Sequence, residues 1–274
     1  MPKPAAKPFL ALAPAFREGR DSPAALLERC LAQVDELEAG LEVFTAIDRP
    51  GAMKAADASS KRWRDGKPLS VVDGMPMGIK DVIETIDMPT QMGSPLFAGY
   101  RSHRDSASVH ALKEAGAVIL GKTVTTEFAA TEPGPTRNPW DSSRTPGGSS
   151  SGSAAGTAAG YFCAALGTQV VGSILRPASY CGVFGMKPTV GAINRGGSMD
   201  HMSQSAQGVL AATMADGWAV LRAIADRAGG DAGSPGLFGP QEMPPPKPPK
   251  TLASSKHRAG VKPVMQPRRH SRAR

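Results

Sequence analysis

Two serine-bearing glycine loops and one lysine hold the chemistry that this sequence can offer. The first loop reads Gly147-Gly148-Ser149-Ser150-Ser151-Gly152-Ser153. The second reads Val171-Gly172-Ser173 and leads to Arg176-Pro177. A serine hydroxyl attacks poorly until a base removes its proton. A His-Asp route needs a histidine in reach, and of His103, His110, His201, His257 and His270 the last two lie near the C-terminus. A lysine relayed through a second serine needs no histidine. Lys80 sits among the apolar residues Met77, Ile79, Val82 and Ile83. Burial disfavours the charged form of a lysine, and moving its pKa from about 10.4 to near 7 takes roughly 4–5 kcal/mol. A strand-end lysine reaching solvent fits the same residues, and the residues alone do not choose between the two.

Between the loops lies a segment of almost nothing but Ala, Gly and Ser, with no large side chain from Ser149 to Gly160. So small a segment is useful where other backbone packs directly on it, or where its own N–H groups face a ligand. A flexible linker has the same composition. The apolar run Tyr161 to Leu166 that follows belongs in a core and argues against one. Two other Gly-rich chemistries find little support. Gly148 to Gly152 matches G-x-S-x-G with Ser150 as nucleophile, but that elbow follows an apolar strand, and here Asp141 to Pro146 stands instead. A phosphate-cradling loop would continue into Gly-Lys-Ser/Thr, which is missing.

The elements that must position these residues alternate in type. Ser22-Pro23 starts a helix with a capping hydroxyl and a proline in its first turn, and Leu26, Leu27, Cys30, Leu31, Val34 and Leu37 give it one apolar face. Val43 to Ile47 reads as a strand, Ala52 to Arg64 as a weaker helix, and Gly74 to Ile83 as the strand that carries Lys80. Ser106 opens a helix closed by Gly116, and Ala117 to Gly121 is a buried strand, an order typical of α/β proteins. The Ala-rich segment after Ser153 is predicted to be a tightly packed helix. Met214, Trp218, Leu221 and Ala225 mark another, ending near Gly229.

The formal charge of +8 is uneven: residues 241–274 hold 9 Lys and Arg against 1 acidic residue, and residues 1–240 hold 23 of each sign. The basic pI therefore says nothing about the ligand of the folded part. Residues 229–274 are dense in Gly, Pro, Lys and Arg and cannot bury enough apolar surface to offset ordering entropy, so they are predicted to be a disordered tail. Three cysteines, Cys30, Cys163 and Cys181, are too few and scattered for a disulfide framework or a zinc site, and they fit a reducing cytoplasm. There is no signal-peptide pattern at the N-terminus and no apolar stretch long enough to span a bilayer.

The loops together resemble the amidase signature family, serine hydrolases with a Ser-Ser-Lys triad. The GGSS-G-S loop, the small-residue segment, the G-S-I loop before Arg176-Pro177 and Cys181-Gly182-Val183-Phe184-Gly185-Met186-Lys187-Pro188-Thr189 come in the family's order. Upstream, Gly74-Met75-Pro76-Met77-Gly78-Ile79-Lys80-Asp81 is similar to its lysine-bearing strand. The likeness runs from about Ser22 to Asp226, with the spacings of the malonamidase-like members.

That resemblance implies an α/β fold: a mixed sheet flanked by helices, in one amidase-like domain over residues 1–228, incomplete at its C-terminus through truncation or a frame shift. It makes Ser173 the nucleophile, Ser149 the relay and Lys80 the base, with a cis peptide joining Ser149 to Ser150. It places the backbone N–H groups of Val170, Val171, Gly172 and Ser173 in an oxyanion hole. Ser150 and Arg176 are its candidate substrate contacts, although Arg176 could equally brace the loop. Val171 stands where the family has Gly, and a β-branched residue resists positive φ, which predicts a disturbed oxyanion hole. Gln169 replaces a common Asp.

The implied activity is hydrolysis of a small-molecule carboxylic amide through an acyl-serine, with no cofactor or metal. No specific nucleic acid and no membrane are implied as partners, and a homodimer stays open. The alternatives are the glutamine-hydrolysing component of a tRNA-dependent amidotransferase and an inactive truncated scaffold.

Overall fold

A computed structural model describes residues 4–200, 202–245 and 247. Its compact unit ends at Met243. In chain order the elements are α1 (Ala13–Arg17), α2 (Pro23–Leu41), β1 (Phe44–Ile47), α3 (Arg49–Arg64), β2 (Pro76–Lys80), α4 (Ala107–Glu114) and β3 (Val118–Thr123). Then follow α5 (Ser151–Ala159), β4 (Ala164–Gln169), α6 (Leu175–Cys181), β5 (Phe184–Met186), β6 (Ala206–Ala211) and α7 (Met214–Ala228).

Local chemistry sets where these elements begin and end. The Ser22 hydroxyl accepts the Ala25 N–H at 3.1 Å, and Pro23 fills the first position of α2. Helix α3 starts earlier than the apolar pattern suggests because Asp48 caps it, accepting the Gly51 N–H at 3.0 Å. Strand β2 stops at Lys80 because the N–H groups of Val82 and Ile83 both turn back onto the Lys80 carbonyl, at 2.8 and 2.9 Å.

The strands form one mixed sheet in the order β1-β3-β2-β4-β6-β5. Strand β2 pairs in parallel with β3 and with β4, while β1, β6 and β5 join antiparallel. The three central strands thus end at the same edge of the sheet. Lys80, Thr123 and Gln169 are their last residues. In open α/β sheets this carboxyl edge is where ligands bind.

Every residue of α5 is buried, which accounts for its composition. A Cβ on Gly152 would lie 2.4 Å from the Val43 carbonyl oxygen and 2.6 Å from the Val124 nitrogen, both backbone atoms. One on Gly156 would lie 2.4 Å from the Phe162 ring. The helix rests on backbone, as the absence of large side chains requires. Its N-terminus places the first serine loop over the carboxyl edge.

The far end of the sheet is closed by α7. Its cap, Thr213, accepts the Asp216 N–H at 3.0 Å. The buried Asp216 carboxylate accepts the backbone N–H groups of Phe9 and Leu10, at 3.2 and 2.9 Å. The predicted tail boundary needs correction. Residues 229–243 belong to the compact unit: Asp231 pairs with Arg195 at 2.5 Å, and the Trp218 indole donates to the Pro240 carbonyl at 2.9 Å. These polar ties hold a Gly/Pro-rich segment that buries little apolar surface. The expectation for residues 246 and 248–274 lies outside the described residues. No helix among the described residues is long and apolar enough to cross a membrane.

Candidate active site

Lys80 is the last residue of a strand buried along its whole length, and its side chain is 0% exposed. Its Nζ lies 2.6 Å from Ser149 Oγ, 2.8 Å from Thr168 Oγ1 and 3.4 Å from the Thr168 carbonyl oxygen. All three partners are neutral. Burial lowers the lysine pKa to about 7, against the field of Asp200, which raises it. Near neutral pH roughly half of such a lysine is an amine with a free lone pair. Of the two sequence readings of Lys80, the buried one is the one found.

Ser149 is 1% exposed and sits just before α5. The cis bond of the loop joins Gly148 to Ser149, one bond earlier than expected. Ser150 is fully buried. Its N–H donates to the Ser173 carbonyl at 3.2 Å and its hydroxyl approaches the Thr168 carbonyl at 3.5 Å. Ser150 thus ties the two loops together. Gly167 leaves room for it, since a Cβ there would lie 2.8 Å from Ser150 Oγ.

The second loop connects β4 to α6. Gln169 anchors it, with Oε1 accepting the N–H groups of Ile174 and Leu175 at 2.7 and 2.9 Å. A carboxamide oxygen makes these two bonds as a carboxylate oxygen would. The N–H groups of Val170, Val171, Gly172 and Ser173 donate to no acceptor among the described residues. Four adjacent free donors on a partly exposed turn form a ready site for developing negative charge.

Val171 does not carry the strain its residue type predicts. Among the described residues the non-glycine residues with positive φ are Glu42, Met92, His103, Phe128 and Ala129, so position 171 needs no left-handed backbone. Its side chain is 90% exposed. Arg176 turns Nε and Nη2 onto the Gly148 carbonyl, at 3.1 and 2.7 Å. Of its two sequence roles, the structure displays the brace between loops. A cleft of about 290 Å³ opens beside it, with Gly147, Gly148, Ser151, Thr126 and Tyr180 in its wall.

The sequence brought Lys80, Ser149 and Ser173 to attention but not Thr168 or Asp200. Thr168 lies next to the Gln169 departure, inside an apolar strand where a hydroxyl needs a partner. That was the available signal for it. Nothing in the sequence points to Asp200, whose field acts across the fold.

The amidase family profile matches residues 25–266, and the chain belongs to the amidase family. It is 42% identical to the A component of the glutamyl-tRNA(Gln) amidotransferase of Chloroflexus aggregans over 218 residues, which are 77% of this chain and 45% of that one. The same component from an Anaeromyxobacter species is 43% identical over 74% of this chain and 43% of its own length. Among solved structures, the peptide amidase of Stenotrophomonas maltophilia superposes with a TM-score of 0.77 at 35% identity, over 85% of this chain and 51% of that chain. The chain thus spans about half the length of the relatives it matches.

Proposed function

We propose that this chain carries the machinery for hydrolysing a carboxylic amide, with Ser173 as nucleophile, Ser149 as relay and Lys80 as base. The observation that carries the reading is the fully buried Lys80 amine, with a pKa of about 7, held 2.6 Å from a serine hydroxyl in a member of the amidase family.

The neutral lysine takes the Ser149 hydroxyl proton, and Ser149 takes the proton of Ser173. The Ser173 oxygen forms a bond to the amide carbon, and the carbonyl oxygen becomes negative against the free N–H groups of residues 170–173. The relay then returns the proton to the departing nitrogen as the C–N bond breaks. Water cleaves the resulting ester by the same route in reverse, giving acid and amine or ammonia. The step needs no metal or cofactor.

A second reading is favoured by the curated relatives, amidotransferase components at 42–43% identity. In it the amide is glutamine and the ammonia passes to a partner enzyme. The test is labelling of the full chain by a fluorophosphonate, followed by ammonia release from glutamine and from simple amides. Labelling at Ser173 with turnover of simple amides supports the first reading. Glutamine turnover that depends on added amidotransferase partner proteins supports the second. No labelling at Ser173 in folded protein overturns both. Val171→Gly is expected to change the labelling rate by no more than about twofold, as for an unstrained exposed site.

A further inference from the structure

Beside the serines and Lys80 lies a buried glutamine that the mechanism has not used. Gln207 is 1% exposed, and neither its Oε1 nor its Nε2 has a hydrogen-bond partner among the described residues. It stands directly opposite Thr168 in the antiparallel β4–β6 pair. Residues so placed share one face of the sheet, with Cβ atoms about 4.5–5.5 Å apart. The other residues of β6 are Ala206, Gly208, Val209, Leu210 and Ala211, so a polar side chain breaks the pattern at this position alone.

The reason lies in proton counting around Lys80. A neutral amine has two N–H donors and one lone pair. Its neighbours are the Thr168 carbonyl, which can only accept, and two hydroxyls, Ser149 and Thr168, which can do either. One N–H goes to the carbonyl. The remaining N–H and the lone pair are divided between the hydroxyls, so one accepts and the other donates. If Thr168 donates, Ser149 must accept, and the base faces away from the proton it has to remove. If the Thr168 proton goes elsewhere, Ser149 donates to Lys80. The Thr168 hydroxyl has no acceptor of its own among the described residues, and a carboxamide stands across the strand pair from it.

We infer that Gln207 is a positioning residue for Lys80: its carboxamide oxygen takes the Thr168 hydroxyl proton, so that Thr168 meets Lys80 only as an acceptor and the lysine lone pair is left to Ser149. This requires a change of side-chain torsion in Gln207 that turns its unpartnered oxygen to Thr168, its cross-strand neighbour. This role rests on the proposed reading of Lys80 as the base. The charged group acting on Lys80 is Asp200, while the neighbouring Asp81 and Lys122 pair with each other at 3.1 Å.

The test uses the full chain with lysines carbon-labelled at Cε for NMR titration, together with the pH profile of fluorophosphonate labelling. Gln207→Leu keeps the volume and removes the acceptor. Its plateau labelling rate is expected to fall about tenfold, the worth of one buried hydrogen bond. The Lys80 midpoint is expected to move down, because a Thr168 hydroxyl now free to donate favours the neutral amine. Gln207→Glu keeps an acceptor oxygen but adds a buried charge, and is expected to move the Lys80 midpoint up instead of down. In a Thr168→Val background, Gln207→Leu is expected to change neither quantity.

A merely structural glutamine would lower the folded fraction without moving the midpoint. If Gln207→Leu does not fold, Gln207→Asn, one methylene too short to reach, carries the same expectation. A wild-type plateau and midpoint in the acceptor-free variant, or an equal loss in the Thr168→Val background, overturns the inference. If the chain does not label at all, the proposed function fails, and the lysine titration still decides whether Gln207 governs Lys80.

Discussion

Two lysines lie side by side in the centre of this sheet, and only one of them suits chemistry. Lys80 ends β2, and Lys122 sits on β3 opposite Ile79. Both side chains are 0% exposed. Lys122 reaches Asp81 at 3.1 Å, the Pro89 carbonyl at 3.0 Å and the Thr90 hydroxyl at 2.6 Å. Lys80 reaches only hydroxyls and a carbonyl. Burial pushes both amines toward neutrality, and for Lys122 the adjacent carboxylate opposes that push. Burial raises Asp81 in turn, with Lys122 opposing. Desolvation alone therefore does not make a base. A buried lysine whose partners are neutral can exist as a free amine near pH 7, whereas one beside a carboxylate is held as half of an ion pair.

Breaking each lysine should give opposite signatures. The largest effect is expected on turnover. Lys80→Ala and Ser173→Ala should each lose on the order of 10⁴-fold or more in amide hydrolysis, with the circular dichroism of the folded protein retained. Ser149→Ala should lose several orders less, since the proposed base and nucleophile remain. Wild-type turnover in Ser173→Ala would remove the assignment.

Lys122 should act on stability instead. Lys122→Met leaves Asp81 buried and unpaired, and denaturant unfolding should show a loss of about 3–5 kcal/mol. Adding Asp81→Leu should recover most of that, because replacing both partners of a buried pair by apolar residues is close to neutral. A double variant as weak as the single one would mean that the pair does more than balance its own charges.

The third expectation sharpens the contrast through pH. The folded pKa of Lys80 lies below its unfolded value, so the unfolded chain binds more protons between about pH 7 and 10.4. The contribution of Lys80 to stability therefore rises with pH across that window, and its full cost is felt below pH 7. Lys80→Met should exceed the wild type by up to about 4 kcal/mol at pH 6 and converge on it above pH 10. Equal stability at both pH values would show that the lysine is not destabilised by its site. The smallest effect belongs to the helix that roofs the site: Gly152→Ala should cost about 1–3 kcal/mol, since its Cβ would meet two backbone atoms.

Much of this was legible in the sequence, for identifiable reasons. The caps at Ser22 and Ser106 and the strand through Lys80 follow from local residue types, which act over a few positions. The small-residue helix betrayed its packing by what it lacks. The loops were legible only as types, because nothing local says which way Arg176 or Ser150 points; that depends on Gly148 and Thr168, contacts made across the fold. Val171 misled for the same reason. Its residue type argues against a left-handed backbone, and only the folded turn reveals that none is required. Residues 229–243 looked like tail because their anchors, Arg195 and Trp218, lie elsewhere in the chain. Gln207 was invisible, since its meaning lies in facing Thr168.

The Asp216 carboxylate has a consequence for how this protein is made. Its partners are the N–H groups of Phe9 and Leu10, 207 and 206 positions earlier in the chain. During synthesis the segment around Phe9 must wait for α7, about 200 residues later in the chain, before it can dock. Until then Phe9 and Phe16, both buried in the finished fold, have no permanent place and are open to chaperones that bind exposed aromatic chain. Pulse-labelled nascent chains should stay sensitive to protease near residue 10 until translation has passed α7, and Asp216→Ala should extend that sensitivity to the released protein.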